Sequence, residues 1–185
     1  MYDQEFSGID FTKFGMKDGE YENCHFKHCQ FQNLSWKKIK FIDCTFTDCD
    51  ISNVDIDRTA FRTVIFNDCK MIGLRFDNIL TLFLKIDFLR CKLDHSVFNG
   101  LLLKGQQFED CSLLEVEFVE CNLSESKFMK CDLQRAIFEY TDLRKADFIS
   151  SYNFKIDPEK NTLPGAKFSR YGIEGLLDKY DIVIE

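Results

Sequence analysis

The chain has 185 residues, 45% of them hydrophobic and 30% charged, with a formal net charge of −7. That length suits one domain with a continuous buried core, and the negative balance speaks against a protein that neutralises nucleic-acid phosphates or an anionic membrane surface. Neither direct nucleic-acid binding nor a membrane partner is expected, whereas twenty phenylalanines and nine cysteines beside only two prolines ask for a special architecture.

The first residues carry Asp3, Glu5 and Asp10 where a secretory leader would carry a basic end and an apolar stretch. No apolar run approaches the ~18 residues of a membrane span, so the expected location is the cytoplasm. At Phe6 a five-residue period begins. Phe6, Phe11, Met16, Tyr21, Phe26, Phe31, Trp36, Phe41, Phe46, Ile51, Ile56, Phe61, Phe66, Met71 and Phe76 follow one another without a polar interruption. A helix repeats its apolar face every 3.6 residues and a strand every 2. A sustained period of five therefore predicts a coil that turns a corner every five residues, and such repeats are sought before secondary structure is assigned. Two residues before each centre lies a second inward position for small or compact groups. All nine cysteines occupy it: Cys24, Cys29, Cys44, Cys49, Cys69, Cys91, Cys111, Cys121 and Cys131. Two residues after each centre lie turn formers such as Asn23, Asn33, Asp43, Asp48, Asn53, Asp68 and Gly73. Each unit reads as a short strand closed by a tight turn.

Within the first units, Cys24-His25-Phe26-Lys27-His28-Cys29 has the composition of a zinc site. The register points the two cysteines inward and the two histidines outward, so the four cannot converge, and core packing is expected with no metal bound. Stacked cysteines ~4.8 Å apart are slightly too distant for disulfides, which a reducing compartment also disfavours. Next comes an acidic band, residues 42–57, with Asp43, Asp48, Asp50, Asp55 and Asp57 and no basic residue.

The frame slips by two residues at 77–82 and resumes at Phe83, running through Phe88, Leu93, Phe98, Leu103, Phe108, Leu113, Phe118, Leu123, Phe128, Leu133, Phe138, Leu143 and Phe148. Beside the slip, Leu82, Leu84 and Leu102 take outward positions on one side of neighbouring coils and form a candidate apolar contact patch. A second acidic band, residues 106–126, carries Glu109, Asp110, Glu115, Glu117, Glu120 and Glu125. Both bands are candidate partner-binding surfaces as well as solubilising ones. Lys37, Lys38, Lys40, Arg58, Lys70, Arg75, Lys85 and Arg90 interrupt any continuous acidic stripe.

Identical residues recur where they stack. Phe6, Phe26, Phe46, Phe66, Phe88, Phe108, Phe128, Phe148 and Phe168 step by 20, and by 22 across the slip; Cys29, Cys49, Cys69, Cys91, Cys111 and Cys131 repeat the test. Four units per coil follow, with about seven coils and a rod of roughly 35 Å. Past Phe148 the frame is lost over 150–162, where Pro158 and Pro164 mark a loop. Leu163 and Phe168 return to register. The spacing Ile173, Leu176, Leu177, Tyr180 then predicts an amphipathic helix, and 181–185, with Ile182, Val183 and Ile184, a short strand. The domain reading is a β-helix over 1–168 and a capping segment over 169–185 that closes the last coil, as terminal repeats require.

The triplets Ala136-Ile137-Phe138, Thr141-Asp142-Leu143 and Ala146-Asp147-Phe148 resemble the pentapeptide-repeat family across nearly the whole chain. The segment from Ile156 to the C-terminus is similar to the end of the microcin B17 immunity protein and of Qnr-type quinolone-resistance proteins. The resemblance implies an all-β fold, a right-handed quadrilateral β-helix, with a homodimer through the C-terminal residues Ile173, Leu176, Leu177, Tyr180, Ile182, Val183 and Ile184. It implies DNA gyrase or topoisomerase IV as the partner, met by an acidic rod that stands in for DNA and gives toxin or quinolone protection. The large loops of many Qnr proteins are absent. A solenoid scaffold for some other partner is the alternative, because this architecture serves many roles. Catalysis is not expected. There is no phosphate-binding glycine loop, His25, His28 and His95 face out while the cysteines face in, and no cofactor is called for.

Overall fold

The computed structural model describes residues 1–183; Ile184 therefore lies outside the described residues. Strands β1 (Glu5–Ser7), β3 (His25–Lys27), β5 (Thr45–Thr47), β7 (Val64–Asn67), β8 (Ile86–Leu89), β9 (Gln107–Glu109), β11 (Lys127–Met129), β13 (Asp147–Phe148) and β14 (Lys167–Phe168) form one nine-stranded parallel sheet along a wall of a four-sided β-solenoid. A second wall pairs β2 (Gly19–Glu22), β4 (Ile39–Ile42) and β6 (Ala60–Arg62); a third pairs β10 (Glu117–Val119) with β12 (Ile137–Glu139). The fourth is a run of single parallel bridges from Asp10↔Gln30 to Asp132↔Tyr152. Nine stacked strands are eight turns of the coil, one more than the period alone suggests.

The inside is a set of ring columns. Phe26 stacks on Phe46 with centroids 4.6 Å apart, and Phe88 on Phe108 with planes 3° apart, while rings on adjacent walls meet edge-on, as Phe108 and Phe118 do at 5.8 Å. Both arrangements suit the aromatic quadrupole. The second inward position also carries a hydrogen-bond donor. Cys49, Cys69, Cys91, Cys111 and Cys131 point their Sγ at the carbonyls of Phe26, Phe46, Phe66, Phe88 and Phe108, 3.4–3.6 Å away on the preceding coil. Ser151 continues the column onto Phe128, and Thr59 and Thr141 make the same bond to Trp36 and Phe118. The site wants a small donor, which cysteine supplies at low desolvation cost.

All nine thiols are free and buried. Burial pushes Cys44 and Cys121 up to about 11. Cys29 is raised first by hydrogen bonding with the Cys49 thiol and then by burial, and Cys69 by hydrogen bonding with the Cys49 and Cys91 thiols and then by burial. The same bonds act in the opposite sense on Cys49. Because no lysine or arginine is buried among the described residues, we hold all three neutral. Native protein is expected to show no thiol that reacts quickly with Ellman's reagent and all nine after denaturation; a fast-reacting thiol in the native protein would contradict this packing.

Most corners are made two residues after a centre, where the backbone is left-handed. Asn23, Asp43, Asp48 and Asn53 sit there at φ 50–55°, and so do residues that gain nothing locally from it, such as Lys38, Arg58 and Thr63. Coil geometry thus overrides local preference, at roughly 1 kcal/mol or more for each ordinary side chain. Thr63, β-branched at φ 55° and exposed, is the most strained. Thr63→Asn should raise stability by about 1 kcal/mol, read as a higher Tm; an unchanged or lower Tm would show the corner to be unstrained.

Register pinpoints the insertion. Ala60 bridges Leu80, a step of 20, whereas Val64 pairs with Ile86, a step of 22. The extra residues therefore lie within 81–85, at the end of the 77–82 break and just beyond it, since Asn78 and Leu80 still bond the coil below. Phe83, expected as an interior centre, is 72% exposed at φ 63°. Ile79 and Ile86 are buried and Leu84 packs partly against the core, so the bulge turns the Phe83 ring outward.

Across 150–162 the backbone keeps its circuit although the side-chain pattern is lost. Asp132 bridges Tyr152, Asp142 bridges Thr162, and Phe154 and Ile156 are buried in place of a regular centre. The expected amphipathic helix is two 3₁₀ turns, Arg170–Leu176 and Asp178–Tyr180. Close approach explains the tighter winding: a Cβ at Gly175 would lie 2.1 Å from the Phe154 carbonyl oxygen. Only Leu176 packs on the core, and Ile173 and Tyr180 stay half exposed. Residues 181–183 form no strand. Asp181 at φ 48° ends the last turn.

Candidate docking surface

The wall that carries β2, β4 and β6 leads into the bulge. Leu80 continues that wall one coil above Ala60, and Leu102, which bridges Asn122, takes the matching place on the coil above. Leu82 and Leu102 are 65% and 80% exposed. Leu84, placed in the patch from sequence, is partly buried against the core, whereas Phe83 and Leu80 belong to the outward set and had no signal of their own: a phenylalanine at the right spacing reads as core. The Arg62 guanidinium lies over the Phe83 ring at 5.3 Å, a cation–π contact that fixes the ring on the outside. Exposed apolar groups scattered singly need no explanation, but four together on a small rod do.

Both acidic bands are stitched to lysine, arginine and histidine side chains, most of them one coil away. His28 Nδ1 lies 3.7 Å from Asp48, Lys37 3.0 Å from Asp55 and 3.7 Å from Asp57, and Lys70 3.3 Å from Asp50. Glu115 pairs with His95 and Arg135, and Glu125 with Lys104. Glu117 accepts from the Asn99 amide at 2.8 Å. Bonding from the Lys37 ammonium holds the Asp55 carboxyl below the usual carboxylate range. Asp43, Glu109, Asp110 and Glu120 make no ion pair among the described residues. Exposed pairs such as these are worth little stability each, but the lysine and arginine pairs cancel charge, so the bands are less negative in space than along the chain. A step of 20 applied to charges as well as to rings would have shown it.

At the C-terminal end, Tyr171, Ile173, Tyr180, Ile182 and Val183 are exposed, and Leu176 and Leu177 partly buried. Lys179 bridges Asp157 and Glu159, 2.7 Å from each, and ties the cap to the last coil. A groove of about 630 Å³ between cap and coil is lined by Tyr152, Phe154, Tyr171 and Gly175 among others. His25 and His28 face away from buried Cys24 and Cys29, and no group of three or more metal-ligating side chains converges among the described residues. None of the described helices is long and apolar enough to cross a membrane.

A family model for the pentapeptide repeat region matches residues 19–98 and 83–175. No curated protein matches the chain. Among solved structures, a trypsin-treated form of QnrB1, a plasmid-mediated fluoroquinolone resistance protein, aligns over 100% of this chain and 91% of its own at 17% identity, TM-score 0.59. Full-length QnrB1 aligns over 98% and 99% at 17% identity, TM-score 0.50. HetL, a pentapeptide repeat protein involved in heterocyst differentiation regulation in a cyanobacterial Nostoc strain, aligns over 91% and 86% at 13% identity, TM-score 0.48. Identities this low speak to fold.

Proposed function

Since the chain belongs to the pentapeptide-repeat family, with a core filled by its own rings, we propose that it is a non-catalytic protein-binding rod that meets its partner through the outer wall at residues 80–84 and 102. One observation carries this reading: Leu80, Leu82, Phe83 and Leu102 stand exposed together at the one place where the circuit lengthens from 20 to 22 residues. Interfaces draw their binding energy from such apolar and aromatic anchors. The double variant Leu82→Asp, Leu102→Asp should fold with an unchanged Tm, because both side chains are already in water. In quantitative co-purification from cells it should lose its main partner at least tenfold. Partners retained in full by the variant would remove this reading.

A second reading, the rod as a DNA stand-in on DNA gyrase or topoisomerase IV, is favoured by the net charge of −7 and the full-length match to QnrB1. Here the unpaired Asp43, Glu109, Asp110 and Glu120 would carry the contact, and a two-fold dimer through Ile173, Tyr180, Ile182 and Val183 would double the rod. In this case purified protein protects gyrase from quinolone-induced cleavage in a concentration-dependent way, and Glu109→Lys with Asp110→Lys weakens that protection. Unchanged supercoiling and cleavage at saturating protein would sink the topoisomerase reading while leaving the first in place.

A further inference from the structure

We propose that the bulge wall binds an acidic amphipathic segment of its partner, with apolar side chains against the leucines and carboxylates on the surrounding cations; this rests on the protein-binding reading above. Charge complementarity decides the occupant. In a chain of net charge −7, the apolar set is flanked by Arg58, Arg62 and Lys85, none of which has an ion-pair partner among the described residues. Arg58 turns the corner two residues before Ala60, which lies under Leu80, and the Lys85 backbone N–H closes the bulge by donating to the Phe61 carbonyl at 3.3 Å. Of the acids nearby along the chain, Asp57 is held by Lys37 and Asp77 by Arg75, while Asp87, two residues from Lys85, makes no ion pair among the described residues. Lys104, one coil up, is held by Glu125.

Arg62 adds a second, independent sign. Its Nε–H is buried without an acceptor, and the guanidinium rests on Phe83 instead of on a carboxylate of this chain. An arginine so placed keeps its planar fork for an incoming carboxylate. Phe83 itself sits at φ 63°, the left-handed backbone that the corners of this coil share, with its ring on the outside. A basic partner would meet three cations that make no ion pair, whereas an acidic one pairs with them, and like-charge juxtaposition is what discriminates partners.

The test uses three fluorescent helical peptides that share a leucine and phenylalanine face and carry glutamate, lysine or serine on the other, titrated against the full chain by anisotropy. The glutamate peptide should bind at least tenfold more tightly than the lysine peptide, and more weakly as salt rises. Arg58→Glu with Lys85→Glu should cost about tenfold for the glutamate peptide and improve the lysine one; Leu102→Ser should weaken all three. Equal or tighter binding of the lysine peptide, abolished by Leu102→Ser, overturns the acidic assignment and leaves the protein-binding wall standing. Failure of every peptide to bind, or binding indifferent to these substitutions, overturns it as well. So does self-association in sedimentation that Leu102→Ser removes, which would make a second copy the occupant.

Discussion

Phe108→Ala should lower the stability of the rod by about 3–5 kcal/mol, the range for removing a fully buried ring. Phe108 is 0% exposed and lies between Phe88 and Phe128, its centroid 5.5 and 5.0 Å from theirs, with Phe98 and Phe118 edge-on beside it. Strands above and below fix the backbone spacing, so the cavity cannot close by collapse, and cost is largest where collapse is hindered. Because each coil contacts only its neighbours, the loss should appear first as faster amide exchange in β8, β9 and β11 before global melting. Phe14→Ala, at an exposed ring outside the five-residue frame, should change Tm by almost nothing. A mild effect at Phe108 matching that at Phe14 would mean the ring column is not what holds the coils together.

A methyl group at one cap glycine should be nearly as damaging. In Gly175→Ala the new Cβ would fall 2.1 Å from the Phe154 carbonyl oxygen and 2.9 Å from its ring. Neither neighbour yields easily, because Phe154 is buried and the Ile156 amide bonds the Gly175 carbonyl at 2.9 Å. The 3₁₀ turns must lift off, at a cost on the order of 2–4 kcal/mol, uncovering Phe154 and Phe168. Hydrogen exchange at Ile156 should rise while β3 and β5 stay protected. Gly100→Ala is the control, because its φ of 73° is strained for alanine but the space around it is empty; it should cost only about 1 kcal/mol. Equal effects from the two would place the cost in backbone conformation and not in the cap's packing.

Much of this architecture was legible because the coil stacks like on like: once Phe26, Phe46 and Phe66 define a step of 20, the walls, the corners and the four-sided circuit follow. What escaped has physical causes. Periodicity cannot say which residues of a bulge stay inside, so Phe83, apolar and well spaced, looked like core until Leu84 and Ile86 were seen to fill the space. Compact inward positions looked merely apolar, because the acceptor for Cys69 or Thr141 is a backbone carbonyl 23 residues earlier. The acidic bands looked unpaired because Asp50 finds Lys70, and Glu115 finds Arg135, one circuit away. At the end of the chain, the spacing of Ile173, Leu176, Leu177 and Tyr180 fits an α-helix, but contact with Phe154 compels tighter turns. Of the candidate site, Leu82 and Leu102 were visible as outward leucines, while Arg62 and its ring were not.

The claim that this rod acts through its bulge is tested most directly by placing a photo-crosslinking phenylalanine analogue at Phe83, and separately at Tyr140, another exposed aromatic, and irradiating living cells. A discrete protein adduct from position 83 and none from position 140 is the predicted outcome. Adducts of equal yield from both positions, or none from 83, would contradict it.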